Sequence, residues 1–162
     1  MKENYSVLTK KVIKEIHFEL EEIENLFDLY RNELFDIKHV PNRLELTGMA
    51  SILHSFYCGI EKIFLNIAKN IDNSVPFDIN WHKTLLFQIA EGNEYREAVI
   101  SEKTKIDLSD YLAFRHFYRH SYSSHLEWEK MEILVKSIQP TWEKFYSEIS
   151  SFLKAYEKPV KR

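Results

Sequence analysis

Apolar residues recur at steps of three and four along most of this chain, and that period alone points to packed helices. Val12, Ile16, Leu20, Ile23, Phe27, Tyr30, Leu34 and Ile37 form one stripe. It reads as a single long first helix, broken at Pro41. Glu15, Glu19, Glu21, Glu22 and Glu24 occupy its other faces, the pattern of a solvated surface. Met49, Leu53, Phe56, Ile60, Ile63, Ile67 and Ile71 form a second stripe, so a helix is expected from near Arg43 to near Ile71. Asn73, Ser74 and Pro76 should end it. Gly59 lies inside this helix, where a glycine costs roughly 1 kcal/mol against alanine, so close packing is predicted there.

A shorter helix is expected from Asn80 to Glu91, with Asn80 as N-cap and Gly92 as the stop. Residues 93–106 read as an irregular connection, and Asp107 as the cap of a helix beginning at Leu108. Ser121, Ser123 and Ser124 interrupt near the end of that helix. Ser124 and Glu127 have capping-box spacing and predict the start of another helix. It carries Trp128, Met131, Leu134, Val135 and Ile138, and Pro140 is expected to kink or restart it before Trp142, Phe145, Ile149, Phe152 and Leu153.

The sum is an all-α chain: an antiparallel up-and-down four-helix bundle with a short extra helix between the second and third main helices. With 3 Gly and 4 Pro in 162 residues, the turns a sheet or barrel needs are missing. One domain is expected over 1–157, with a basic tail over 158–162. Lys and Arg number 22 against 25 Asp and Glu, a net charge of −3, which excludes a generally basic nucleic-acid coat protein. A single cysteine, Cys58, excludes an intrachain disulfide and the multi-cysteine zinc patterns. The opening MKENYSVLTKKVIKEI lacks the apolar core of a signal peptide, and no run approaches a membrane span. The expectation is a cytoplasmic protein without membrane contact.

One segment departs from this background: Ala113-Phe114-Arg115-His116-Phe117-Tyr118-Arg119-His120-Ser121-Tyr122-Ser123-Ser124-His125. Arginine, histidine and aromatic residues interleave in an otherwise acidic chain. On a helical wheel, Leu108, Tyr111 and Leu112 share a face that continues into Arg115, Tyr118, Arg119 and Tyr122. An arginine buried without a partner is costly, so this end of the stripe should open into a groove, an interface or an anion site. Glu61 is a possible partner for Arg115 across the bundle. His120 lies about 140° round from Arg115 in an ideal helix. Either the helix ends near His120, or two chains complete the site together. His116 and His120 have the i,i+4 spacing of a metal pair, but no third ligand is marked, and neither metal nor cofactor is expected. A solvated helix end is the plain alternative. The remaining alternative is phosphate chemistry, in which histidine exchanges a proton near neutral pH and arginine stabilises the developing anion.

Arg115-x4-His120-x-Tyr122 resembles the R-x4-H-x-Y signature of HEPN-domain toxins of the HepT type, with His116 fitting the wider HEPN signature. The flanks resemble a HepT-like subgroup as well: Ser51-Ile52-Leu53-His54-Ser55-Phe56-Tyr57-Cys58-Gly59-Ile60-Glu61-Lys62-Ile63-Phe64, Trp81-His82-Lys83-Thr84-Leu85-Leu86, and Tyr111-Leu112-Ala113-Phe114-Arg115-His116. The likeness spans roughly residues 45–135. It implies a HEPN bundle that dimerises through the motif helices and acts as a metal-independent endoribonuclease. It also implies a nucleotidyltransferase antitoxin that adenylylates the motif tyrosine, here Tyr122.

In that reading His120 is the acid or base and Arg115 stabilises the phosphoryl oxygens, leaving a 2′,3′-cyclic phosphate. His116 and Arg119 would orient the RNA backbone or pair with the other subunit. Tyr118 and Tyr122 would stack on bases or bond a phosphate. Tyr122 has a second reading as a buried core residue. The contrasting function is a non-catalytic HEPN-like module that binds a nucleotide, RNA or the transferase through the same patch. His54 reads as a satisfied core or surface histidine, and Cys58 as a small buried hydrophobe. Trp81, Trp128 and Trp142 read as core or interface anchors.

Overall fold

The computed structural model describes residues 2–157, with side chains from Thr9 onward; the basic tail expected over 158–162 lies outside the described residues. Six α-helices follow in order: α1 (Lys2–Leu29), α2 (Arg31–Phe35), α3 (Arg43–Asn70), α4 (Trp81–Ala90), α5 (Glu102–His120) and α6 (Trp128–Glu157). A 3-10 turn, Ser123–His125, separates the last two. No strand occurs among the described residues, and none of their helices is long and apolar enough to cross a membrane.

Side-chain partners give the direction of each long helix. Phe27 meets Phe56, Lys62 meets Glu19, and Asn66 meets Glu15, so α1 and α3 run antiparallel. Arg43 reaches the Leu126 carbonyl and Phe64 meets Phe145, so α3 and α6 run in the same sense. Ser101 N bonds Glu148 and the Tyr111 hydroxyl bonds the Leu134 carbonyl, so α5 and α6 are antiparallel. This is an up-and-down four-helix bundle built from α1, α3, α5 and α6, with α4 as the short insert. The core is continuous and is centred on α3.

Most expected elements are present, and the differences have local causes. α3 starts with a complete capping box: Asn42 Oδ1 accepts from Glu45 N, and the Glu45 carboxylate accepts from Asn42 N. Asn73 leaves it in the left-handed region at φ 52°, a conformation asparagine tolerates. Gly59 marks close packing as expected, because a Cβ there would lie 2.9 Å from Ile23 Cγ1 and Cδ1.

The first stripe does not form one helix to Ile37. Tyr30 departs from helical geometry, and α2 follows, burying Leu34 and setting Phe35 against Phe27. The start of α4 is organised by Asp78 rather than by an Asn80 side-chain cap. Asp78 accepts from Asn80 N through its carboxylate and from Trp81 N through its carbonyl. α5 begins earlier than Asp107, because the Ser101 hydroxyl caps Thr104 N and the first turn then buries Thr104. Asp107 pairs with Lys103 instead. Ser124 is not a cap; it sits in the 3-10 turn, and the Glu127 carbonyl receives the first α6 amides. Pro140 does not restart the last helix, which is continuous from Trp128 to Glu157, with Pro140 on its exposed side.

The 93–106 segment is more organised than its sequence suggests. Asn93 Oδ1 accepts from the Tyr95 and Arg96 amides. Arg96 then reaches inward, with Nε and Nη2 each 2.7 Å from an Asp72 carboxylate oxygen, and it also donates to the Glu91, Glu97 and Gln88 carbonyls. Burial pushes the Asp72 carboxyl up, but hydrogen bonds from Arg96, Gln88 and Asn93 more than offset this and hold it below its ordinary value.

Arg96→Ala should cost about 3–5 kcal/mol, because it strands a buried carboxylate; urea unfolding measures this. The Asp72 contribution is full above the ordinary aspartate range and is lost as pH falls through the lowered folded value. Unfolding of the wild type between neutral pH and pH ~3 should therefore show an acid-dependent loss that Arg96→Ala reduces.

Candidate functional site

The unusual segment forms about the last two turns of α5 and the turn that follows. Its two sides meet different surroundings. Toward the bundle, Phe114 and Arg115 are buried and Tyr118 is half-buried; away from it, His116, Phe117, Arg119 and His120 are exposed. The apolar stripe of α5 thus continues into an arginine that faces the core.

Arg115 is 7% exposed and Glu61 of α3 is 6% exposed. Arg115 Nη2 lies 3.5 Å from Glu61 Oε1. The stripe therefore closes on an internal ion pair rather than opening directly into a groove, and the partner is the one expected across the bundle. Glu61 is shared: its Oε2 is 2.7 Å from His82 Nδ1, at the start of α4. The Trp81 ring stacks on His82 with centroids 3.5 Å apart. Arg115 Nε and the Tyr57 hydroxyl are buried with no hydrogen-bond partner. Burial, with the Glu61 charge adding to it, pushes the Tyr57 phenol far up, so it stays protonated.

His54, about two turns before Glu61 on α3, borders the same region. Its ring is 4.9 Å from that of Tyr118 and its Nε2 is 3.6 Å from Cys58 Sγ. Burial, with the Arg115 and Arg119 charges adding to it, lowers the His54 pKa. A neutral imidazole thus stands beside two arginines. Cys58 is half-buried, less enclosed than the sequence suggested. Trp142 is a core anchor whose Nε1 donates to Glu24, while Trp81 and Trp128 are half-buried.

The exposed side gathers different groups. The His116 and His120 rings lie 4.6 Å apart on successive turns. α5 ends at His120 and Ser121 is already extended, so the helix stops where the serines indicated. That stop takes Tyr122 off the helical face on which the wheel had placed it. Tyr122 is 79% exposed, which excludes the buried-core reading, and its ring meets His125 edge-on. Arg119 and His120 occupy the last turn, where positive charge is favoured by the helix dipole. No hydrogen bond or ion pair joins Arg115 to His120 among the described residues, and no three His, Cys, Asp or Glu side chains there cluster as metal ligands. Two residues had no marker in the sequence. His82 and Tyr57 appear only within family-like text, and their roles depend on which helices meet.

A four-helix bundle that brings R-x4-H-x-Y to the end of its third main helix defines a HEPN-type helical protein. The family described as HepT-like protein matches residues 48–156, and the chain belongs to that family. No curated protein and no solved structure matches it.

The electrostatic surroundings of His54 are open to direct measurement. In an NMR pH titration its midpoint should lie below the usual histidine value of about 6.5. Arg119→Ala removes a facing positive charge and should move that midpoint up.

Proposed function

We propose that this protein is a HepT-like ribonuclease toxin, acting on RNA without a metal or other cofactor. The observation that carries the proposal is the end of α5. The helix stops at His120, leaving His116, Arg119, His120 and Tyr122 open to solvent within the residues that match the family. His120 and Arg115 are the catalytic pair, with His116, Arg119 and Tyr118 supporting or contacting RNA. A histidine takes the 2′-hydroxyl proton, the 2′ oxygen bonds phosphorus, the bond from phosphorus to the 5′ oxygen breaks, and the leaving oxygen is protonated. Arginine stabilises the extra charge on the phosphoryl oxygens. The products are a 2′,3′-cyclic phosphate and a 5′-hydroxyl.

Arg115 faces inward and His120 outward on one helix, which supports a homodimer through the motif helices. There each cleft would draw groups from both copies. The unit over 1–157 works as one domain in this reading, in the cytoplasm where its RNA is. The proposed regulator is a nucleotidyltransferase antitoxin that adenylylates Tyr122. The exposed phenol is accessible to such an enzyme, and an AMP ester there adds bulk and negative charge three residues beyond Arg119 in the chain.

The burial of Arg115 against Glu61 favours one competing reading, a non-catalytic module that binds RNA, a nucleotide or the transferase through the same patch. Purified protein incubated with RNA in EDTA separates the two. Cleavage to cyclic-phosphate ends, abolished in a folded His120→Ala variant, is the expected result. Binding weakened by Arg115→Ala, with no cleavage under any condition, would establish the module instead. Intact mass after co-expression with the transferase should show AMP on Tyr122 and none on Tyr122→Phe.

A further inference from the structure

Two buried arginine–carboxylate pairs hold this fold, and they are built differently. Arg96 is saturated: its fork grips both Asp72 oxygens at 2.7 Å, and three backbone carbonyls take its other bonds. Arg115 is also buried, though its side chain is 9% exposed against 2% for Arg96, and it is poorly satisfied. It touches one Glu61 oxygen at 3.5 Å, and its Nε has no partner. A pair made only for stability would close the fork, as Arg96 does. The other Glu61 oxygen, which would close the fork, is held 2.7 Å from His82 Nδ1.

An ionised carboxylate only accepts, so His82 Nδ1 carries a hydrogen and donates it. The Trp81 ring stacked on His82 restricts the imidazole. α4, the short insert, thereby reaches Arg115 through Glu61. From this contrast we infer that Glu61 and His82 are positioning residues that hold the Arg115 guanidinium in one orientation while leaving donors free for the oxygen of an RNA phosphodiester. The inference rests on the ribonuclease reading of the same site. No group leaves or arrives in this role; His82 sets Glu61, Glu61 sets Arg115, and only Arg115 meets the phosphate.

The test compares His82→Ala, His82→Asn and His82→Gln in the full chain. The asparagine amide N–H overlays the imidazole Nδ1–H, whereas the glutamine amide reaches the Nε2 position. His82→Ala and His82→Gln should lower kcat for RNA cleavage about tenfold or more, with KM within about twofold, because misplacing a catalytic group weakens the transition state more than substrate binding. His82→Asn should recover most of the loss. A merely structural histidine would change the unfolding midpoint without this split between kcat and KM. The second readout is NMR of the Arg115 guanidinium. Its rotation should be hindered in wild type and His82→Asn and faster in His82→Ala. Unchanged kcat in His82→Ala, or equal rotation in all variants, would overturn the relay. If the wild type cleaves no RNA, the ribonuclease reading falls, and guanidinium rotation alone then decides whether Glu61 and His82 orient Arg115.

Discussion

α3 is the helix that the other long helices and the insert pack against, and the rest of the molecule is arranged by that packing. It packs against α1, α4, α5 and α6, and Leu53, Phe56, Tyr57, Ile60, Ile63, Phe64 and Ile67 are wholly buried. Its solvated strip is narrow, running through Ser51, Ser55, Lys62 and Lys69, and Glu61 lies off it among buried residues. Glu61 therefore had to find partners inside the bundle, since an unpaired internal carboxylate is costly. It found them on two different helices, Arg115 of α5 and His82 of α4. The central helix and the motif helix are tied together by that one charge.

The same constraint explains why the insert matters. α4 buries only a short apolar set, Leu85, Leu86 and Ile89, against the bundle. Its two ends carry the polar ties: His82 to Glu61 at the start, and Gln88 to Asp72 near the end. Asp72 in turn anchors Arg96 and hence the segment leading into α5. A connection that looks irregular in sequence is thus braced ahead of the motif helix. The polar ties lie beneath α5, while its outer face and the following turn are exposed.

Much of the fold was legible in the sequence because helices follow local rules. The two stripes on α1 and α3, the Gly59 contact, the stop at Asn73 and the end of α5 beside Ser121 depend on periodicity, size or backbone preference within a few residues. The misreadings share another origin. Ser101 replaced Asp107 as a cap because the earlier turn could bury Thr104; α2 broke from α1 because Leu34 and Phe35 found a surface on α6 and Phe27. In each case a distant surface outweighed a local signal of comparable strength.

The site divides in the same way. Spacing of residues along one helix was enough to single out Arg115, His116, Arg119 and His120 and to place His120 away from Arg115, because helical angle is a local property; Tyr122 fell beyond the helix end and off the face the wheel gave it. Which side faced the core, and what the buried arginine met there, was decided by packing. Glu61, His82 and Tyr57 are 54, 33 and 58 residues from Arg115 in the chain, counted from their positions. Such separations carry no periodic signature, and only the docking of α3, α4 and α5 makes those groups neighbours.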